Sequence, residues 1–281
     1  DALSVEAPRL VLHGGLLGGS VRIAFVGDVC ADASGALWRN ARLPDLHREF
    51  DVERVVANFE AVVDGSESGT PAPDKVCLSV ARAAAGRLAE AGVDLVSLAN
   101  NHSADYGADA FAGSLSCLDG AFGQRGVFGT RERPTAELAP GLDVLGACFP
   151  EANPRGTVRG DGPLLVDGVV DLVKTYRSAG RQLAVFAHWG EEQIGLASPR
   201  QRSWARALVA DGAAQVVGCH AHVTGAGEDI GDASVIYSLG NFLFRAMQGG
   251  GTRSLGSNRR SAAAGYEWEG ERLRYERRMD C

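Results

Sequence analysis

Two of the six histidines in this chain, His220 and His222, stand one residue apart in VVGCHAHV (216–223), directly after an apolar run. Residues two apart in an extended chain lie on the same face, so the pair can serve a common centre. Other oxygen- and nitrogen-bearing side chains occupy the same place after apolar runs. Asp28 follows VRIAFVG, Glu60 follows RVVANF, Asn101 and His102 follow VDLVSLAN, and His188 follows RQLAVFA. Each alone has an ordinary explanation as a turn former, helix cap or solvated loop residue. Seven of them at successive strand ends could surround two metal ions. Carboxylates mixed with imidazoles suit zinc, manganese, iron or magnesium-like ions, and the ligand types do not choose among these.

Such a centre needs a scaffold that delivers strand ends to one edge. Strands are predicted at 21–28, 54–60, 93–102, 141–149 and 181–192, leading into 216–223, and at 234–244. Helical periodicity covers 79–91, 107–120, 167–179 and 198–212. The last of these has Ser198 as N-cap, Pro199 in the first turn and Gly212 at its end. Strands that are nearly all apolar, alternating with helices, predict a layered α/β fold with the strands covered on both faces. In open α/β sheets the ligand crevice lies outside the strand carboxyl ends, where the candidate residues fall. Trp189, beside His188, is expected to line a substrate pocket, whereas Trp204 has the spacing of a core residue. The glycine-rich, basic stretch 245–260 reads as a loop in which Arg253 is a candidate contact for an anionic substrate. Residues 266–278 read as a hairpin about Glu269–Gly270. With no internal repeat or linker, the expected organisation is an N-terminal extension over 1–20 and one domain over 21–281.

Composition narrows the partners. A formal net charge of −7 argues against a general binder of nucleic acid or anionic membrane. No window approaches 18 uncharged apolar residues, and the N-terminal stretch lacks the pattern of a signal peptide. The six cysteines show no CxxC pairing. A reduced, cytoplasmic protein is the expectation.

The ordered blocks GDV (27–29), NFE (58–60), SLANNHSADYG (97–107), AHWGEE (187–192), GCHAHV (218–223) and YSLGNFLF (237–244) closely resemble the CapA family. That family is named for poly-γ-glutamate capsule synthesis and is related to calcineurin-like metallophosphoesterases. The resemblance implies a metallophosphoesterase-like sandwich with a two-metal site at the strand carboxyl ends. By position it implies Asp28 and His222 as ligands of one metal and Asn101, His188 and His220 as ligands of the second, with Glu60 bridging. His102 matches the histidine that approaches substrate, and is the implied acid–base group. Two departures stand out. Cys30 replaces the histidine of the wider DxH pattern, which leaves open whether its thiol coordinates. Gln193 replaces the tyrosine of an HWGxEY block that keeps Glu192, a second acid–base candidate.

The resemblance leaves three functions open. The favoured one is a metal-dependent isomerase, an epimerase that inverts Cα of the C-terminal residue of a ribosomal, lasso-type precursor peptide. In that reaction His102 or Glu192 removes and returns the proton. One alternative is a hydrolase of phosphoesters or peptide-like amides, with His102 protonating the leaving group. The other is a non-catalytic accessory to poly-γ-glutamate capsule assembly.

Overall fold

In the computed structural model, β1 (Val21–Cys30) lies within a seven-stranded sheet. Parallel to it on one side run β2 (Arg54–Phe59), β5 (Leu95–Ser97) and β6 (Val127–Phe128). On its other side β14 (Ala262–Trp268) pairs antiparallel with Val21–Val26 and carries β15 (Leu273–Asp280) outside it. The last residues of β1 pair instead with β13 (Asn241–Phe244). A separate short pair joins β3 (Val62–Val63) to β4 (Ser79–Val80). The structure describes residues 20–30, 45–65, 69–73, 75–152, 168–244, 262–269 and 273–280. The expected extension over 1–20 (all but Ser20) and the basic loop with Arg253 lie outside the described residues.

The second sheet has six strands. Its parallel centre is β8 (Leu142–Cys148), β9 (Gln182–His188), β10 (Ala213–Cys219) and β12 (Ala233–Ile236). The antiparallel strands β7 (Thr135–Ala139) and β11 (Gly227–Ile230) form its edges.

Period-two alternation decides what each strand faces. From β1, Ile23 and Phe25 join Val56, Phe128, Val144, Phe186 and Val217 in a layer between the two sheets. Ala24 and Val26 point the other way, against α1 (Leu46–Phe50), α2 (Ala83–Glu90) and α3 (Ala108–Phe122). Leu183, Val185 and Ala187 of β9 likewise pack on α4 (Val169–Ser178) and α5 (Pro199–Asp211). Helices, sheet, sheet and helices therefore stack in four layers, as the apolar strands predicted. Burying one large apolar side chain contributes about 2 kcal/mol, so the inter-sheet layer is what holds the two sheets together.

The helix at 198–212 starts and stops as expected. Ser198 Oγ accepts from Gln201 N at 3.1 Å, the Gln201 side chain accepts from Ser198 N at 3.0 Å, and Gly212 has φ +114°. The strands around the polar motifs are shorter than predicted. The one expected over 93–102 ends at Ser97, that over 181–192 ends at His188, and that over 216–223 ends at Cys219. The run 234–244 is two strands, parted at Gly240 with φ +74°. Helix 79–91 starts only at Ala83, after β4.

Gly27 marks where β1 becomes irregular. A Cβ there would lie 1.8 Å from Gly240 O, and Asp28 N donates to that same oxygen at 3.0 Å. Gly27→Ala is therefore expected to cost about 3 kcal/mol through overpacking and to lower Tm measurably. Gly113→Ala, on α3 with nothing within 4 Å of the new methyl, should instead add about 0.5–1 kcal/mol of stability and raise Tm slightly. Thermal denaturation of both variants checks the contrast.

Candidate metal centre

The strands bring the polar residues to one edge by the same parity that builds the core. On β2, Asn58 and the following Glu60 share the inter-sheet face of Val56, and on β9 His188 shares that of Phe186. Asp28 breaks the alternation of β1, since the register shifts beside it against both β2 and β13. That irregularity turns its carboxylate inward, where Asn58 Nδ2 donates to it at 2.8 Å and His220 N at 3.0 Å. The backbone bends at the HxH pair. His220 has φ +96° and His222 φ +58°, conformations that cost a non-glycine residue about 1–3 kcal/mol each.

Glu60 lies at the middle, fully buried. Its Oε1 is 3.5 Å from His188 Nε2, 3.8 Å from His102 Nε2 and 4.0 Å from His222 Nε2. Among the described residues neither Glu60 oxygen has a hydrogen-bond partner, and neither does His220 Nδ1. Donor atoms converge within 4.8 Å of one another in two sets that share Glu60: Asp28, Glu60 and His222, and Glu60, His188 and His220. Asn101 Oδ1 lies 2.8 Å from His188 Nε2, placing its carbonyl with the second set. Three orphaned buried atoms among carboxylates and imidazoles fit a divalent cation, and these residues could bind one. The identity of the metal is not selected by this donor set.

Residues 22–140 and 150–246 match the family model described as bacterial capsule synthesis protein PGA_cap. The chain belongs to the PGA_cap family. It is 29% identical over 205 residues to a capsule biosynthesis protein CapA of Bacillus anthracis, covering 68% of this chain and 50% of the relative. It is 24% identical over 200 residues to the PGA biosynthesis protein CapA of Bacillus subtilis (strain 168), covering 68% and 53%. The chain thus spans about half the length of the curated relatives it matches. A hypothetical protein from Thermus thermophilus shares the fold at a TM-score of 0.51 and 19% identity, over 92% of this chain and 99% of that one. No helix among the described residues is long and apolar enough to cross a membrane.

Burial sets the electrostatics of this PGA_cap centre. It pushes the carboxyls of Asp28 and, much further, Glu60 above their usual range, with the Asp28 charge adding to the effect on Glu60. It drives His188 well below the ordinary imidazole value and His220 down to about 3, each helped by neighbouring histidines. His102 is lowered too, by burial, against the opposing hydrogen bond to Asp105. Neutral imidazoles with lone pairs to give surround carboxyls that resist ionising alone, and a bound cation removes that resistance.

Several supporting residues were not foreseen as site residues. Asp105 accepts from His102 Nδ1 at 2.6 Å, from Lys75 Nζ at 2.6 Å and from Leu78 N at 2.7 Å. Lys75 Nζ also donates to the backbone carbonyl of Asn101. Asn241 Oδ1 accepts from His222 Nδ1 at 2.8 Å. Asp105 and Asn241 lie inside quoted motif blocks, so spacing could have found them, whereas nothing in PAPDKV marks Lys75.

One expectation is corrected. Trp189 is not a pocket residue. Its ring is wholly buried in the helix-facing layer, 5.2 Å from Phe149 and 5.7 Å from Tyr237, with Nε1 donating to Tyr237 O at 2.9 Å. Next to an inward-facing His188, parity turns it outward. Cys30 packs in the cluster beneath the outer helices, and the cysteine within reach of the donors is Cys219. Glu192 is exposed beyond β9, outside the buried donor cluster, and bears on Glu60 through its charge.

The raised carboxyls fix the sign of a pH effect in metal-free protein. Folded Glu60 holds its proton to a higher pH than the unfolded group at 4.5, so its contribution is full below that value and lost as pH rises through the folded value. The depressed His188 and His220 act oppositely: their contribution is present above 6.5 and is lost on acidification. Glu60→Gln is expected to raise the Tm of chelator-treated protein at about pH 8. It should also abolish the stabilisation that Mn²⁺ gives the wild type, about 2.7 kcal/mol at a hundredfold excess over Kd. Differential scanning fluorimetry with and without metal measures both.

Proposed function

We propose that this chain is a metal-dependent enzyme of capsule-type polymer synthesis that acts on a carboxylate-bearing, peptide-linked chain of the poly-γ-glutamate kind. The observation that carries this reading is the placement of His102. Its Nδ1 is bonded to Asp105 at 2.6 Å, and its Nε2 faces the buried carboxylate shared by both donor sets at 3.8 Å. A purely scaffolding role would not call for a proton carrier there, nor for an unpaired buried carboxylate that costs several kcal/mol.

Bound divalent ions would supply Lewis acidity toward a carboxylate, carbonyl or phosphoryl oxygen, held by Asp28, Glu60, Asn101, His188, His220 and His222. The other roles fall to the chain itself. Asp105, saturated by Lys75 and Leu78 N, holds the His102 ring with its proton on Nδ1. That leaves Nε2 as the atom that exchanges a proton with substrate. Because burial keeps His102 neutral, it rests as a base.

This last point favours a second reading on the same residues: epimerisation at the C-terminal residue of a precursor peptide, with His102 taking and returning the Cα proton. It needs no leaving group. Incubation of the Mn²⁺-loaded protein in D₂O with γ-glutamyl oligomers and with a precursor peptide separates the two. A change in oligomer length supports the first, and deuterium at a C-terminal residue without cleavage supports the second. Neither product from metal-loaded protein would leave the non-catalytic accessory role.

His102→Ala is expected to keep its metal while losing about 10²–10⁴-fold in rate. His188→Ala and His220→Ala should lose metal, measured by elemental analysis of folded protein. Unchanged turnover in the first variant, or full occupancy in the others, overturns the assignment.

A further inference from the structure

The two ring nitrogens of His188 keep different company. Nε2 lies 2.8 Å from Asn101 Oδ1 and 3.5 Å from Glu60 Oε1, on the side where a cation would be held. Nδ1 lies 3.2 Å from Asn58 Nδ2 and 3.5 Å from Cys219 Sγ. A histidine that gives its Nε2 lone pair to a metal carries its proton on Nδ1, and that proton needs an acceptor.

Asn58 cannot be the acceptor, because a chain of hydrogen bonds fixes which way its amide points. The His102 backbone N–H donates to Asn100 Oδ1 at 3.1 Å, which fixes the orientation of Asn100. Asn100 Nδ2 then donates to Phe59 O at 2.9 Å and to Asn58 Oδ1 at 3.1 Å. Asn58 is left with its NH₂ toward Asp28 Oδ1, at 2.8 Å, and toward His188. A proton on His188 Nδ1 would meet N–H bonds on that side.

Cys219 offers what Asn58 cannot. It stands opposite His188 in the parallel register of β10 and β9, so the ladder holds its sulfur beside the ring. Its own S–H has the Asp28 carboxylate and Ala187 O, at 3.6 Å, as acceptors, which leaves a sulfur lone pair toward Nδ1. The other strand-end ligand, His222, meets an ordinary amide oxygen at its Nδ1, that of Asn241 at 2.8 Å.

We propose that Cys219 is the positioning residue for His188: its sulfur accepts the Nδ1 proton and so selects the tautomer whose Nε2 faces Glu60. This rests on the metal-centre reading of the site. The rival arrangement is direct ligation by sulfur, for which Asp28, His188 and Cys219 also converge.

The test is the affinity of chelator-treated wild type, Cys219→Ser and Cys219→Ala for Zn²⁺ by isothermal titration. Cys219→Ala should weaken binding about 10- to 100-fold. Cys219→Ser, which keeps an acceptor, should stay within a few-fold of wild type. Two measurements on wild type stand without any variant. ¹⁵N-histidine spectra of the zinc form should place the His188 proton on Nδ1, and the Co²⁺ form should show no sulfur-to-cobalt charge-transfer band. Wild-type affinity in Cys219→Ala, an unprotonated Nδ1, or a charge-transfer band that disappears in Cys219→Ala each overturns the role. Absence of metal binding by wild type removes the metal-centre reading itself, and with it this inference.

Discussion

Glu60 is a carboxylate with no hydrogen bond of its own among the described residues, buried where two sheets meet. Desolvating such a group without a partner is among the largest local penalties a fold can carry. The surrounding residues are arranged around it: three imidazole nitrogens stand within 4.0 Å, and a second buried carboxylate, Asp28, lies close enough to raise its pKa further. The apolar layer between the sheets, with Phe25, Phe128 and Phe186, excludes water and so sharpens both the penalty and the attraction for a cation.

Around that charge the rigidity comes from amides rather than from further ions. Asn100 and Asn58 link the loop after β5 to β1 through hydrogen bonds of determined direction. Because the backbone of His102 sets the direction of the chain, its loop and the carboxylate of Asp28 are fixed relative to one another. The left-handed backbones of His220 and His222 belong to the same arrangement. They accompany the division of one short motif between two donor sets.

Much of this was legible in the sequence because parallel strands all deliver their carboxyl ends to one edge. Polar residues after apolar runs therefore marked Asp28, Glu60, Asn101, His102, His188 and His220–His222 before any coordinates. What escaped depends on which strands become neighbours. Cys219 matters because β10 lies beside β9 in register, and Asn58 because it reaches across to the other sheet. Lys75 comes from a segment with no periodic pattern at all. The misreading of Trp189 had a different origin. Adjacency to His188 suggests proximity to substrate, although strand parity sends neighbours to opposite faces. The strands around 93–102 and 181–192 read overlong because their apolar and motif residues run on continuously, while the backbone stops pairing at Ser97 and at His188.

The pairing of β1 with β14 has a consequence for how the chain is made. β1 is among the first described segments to be synthesised, and its antiparallel partner is among the last. Until residues 262–268 emerge from the ribosome, the flank of Val21–Val26 is an unpaired, apolar edge of the kind that recruits other strands. Closure of the sheet is thus a non-local, late event in folding, and the nascent chain must be kept from aggregating through that edge until its C-terminal hairpin arrives.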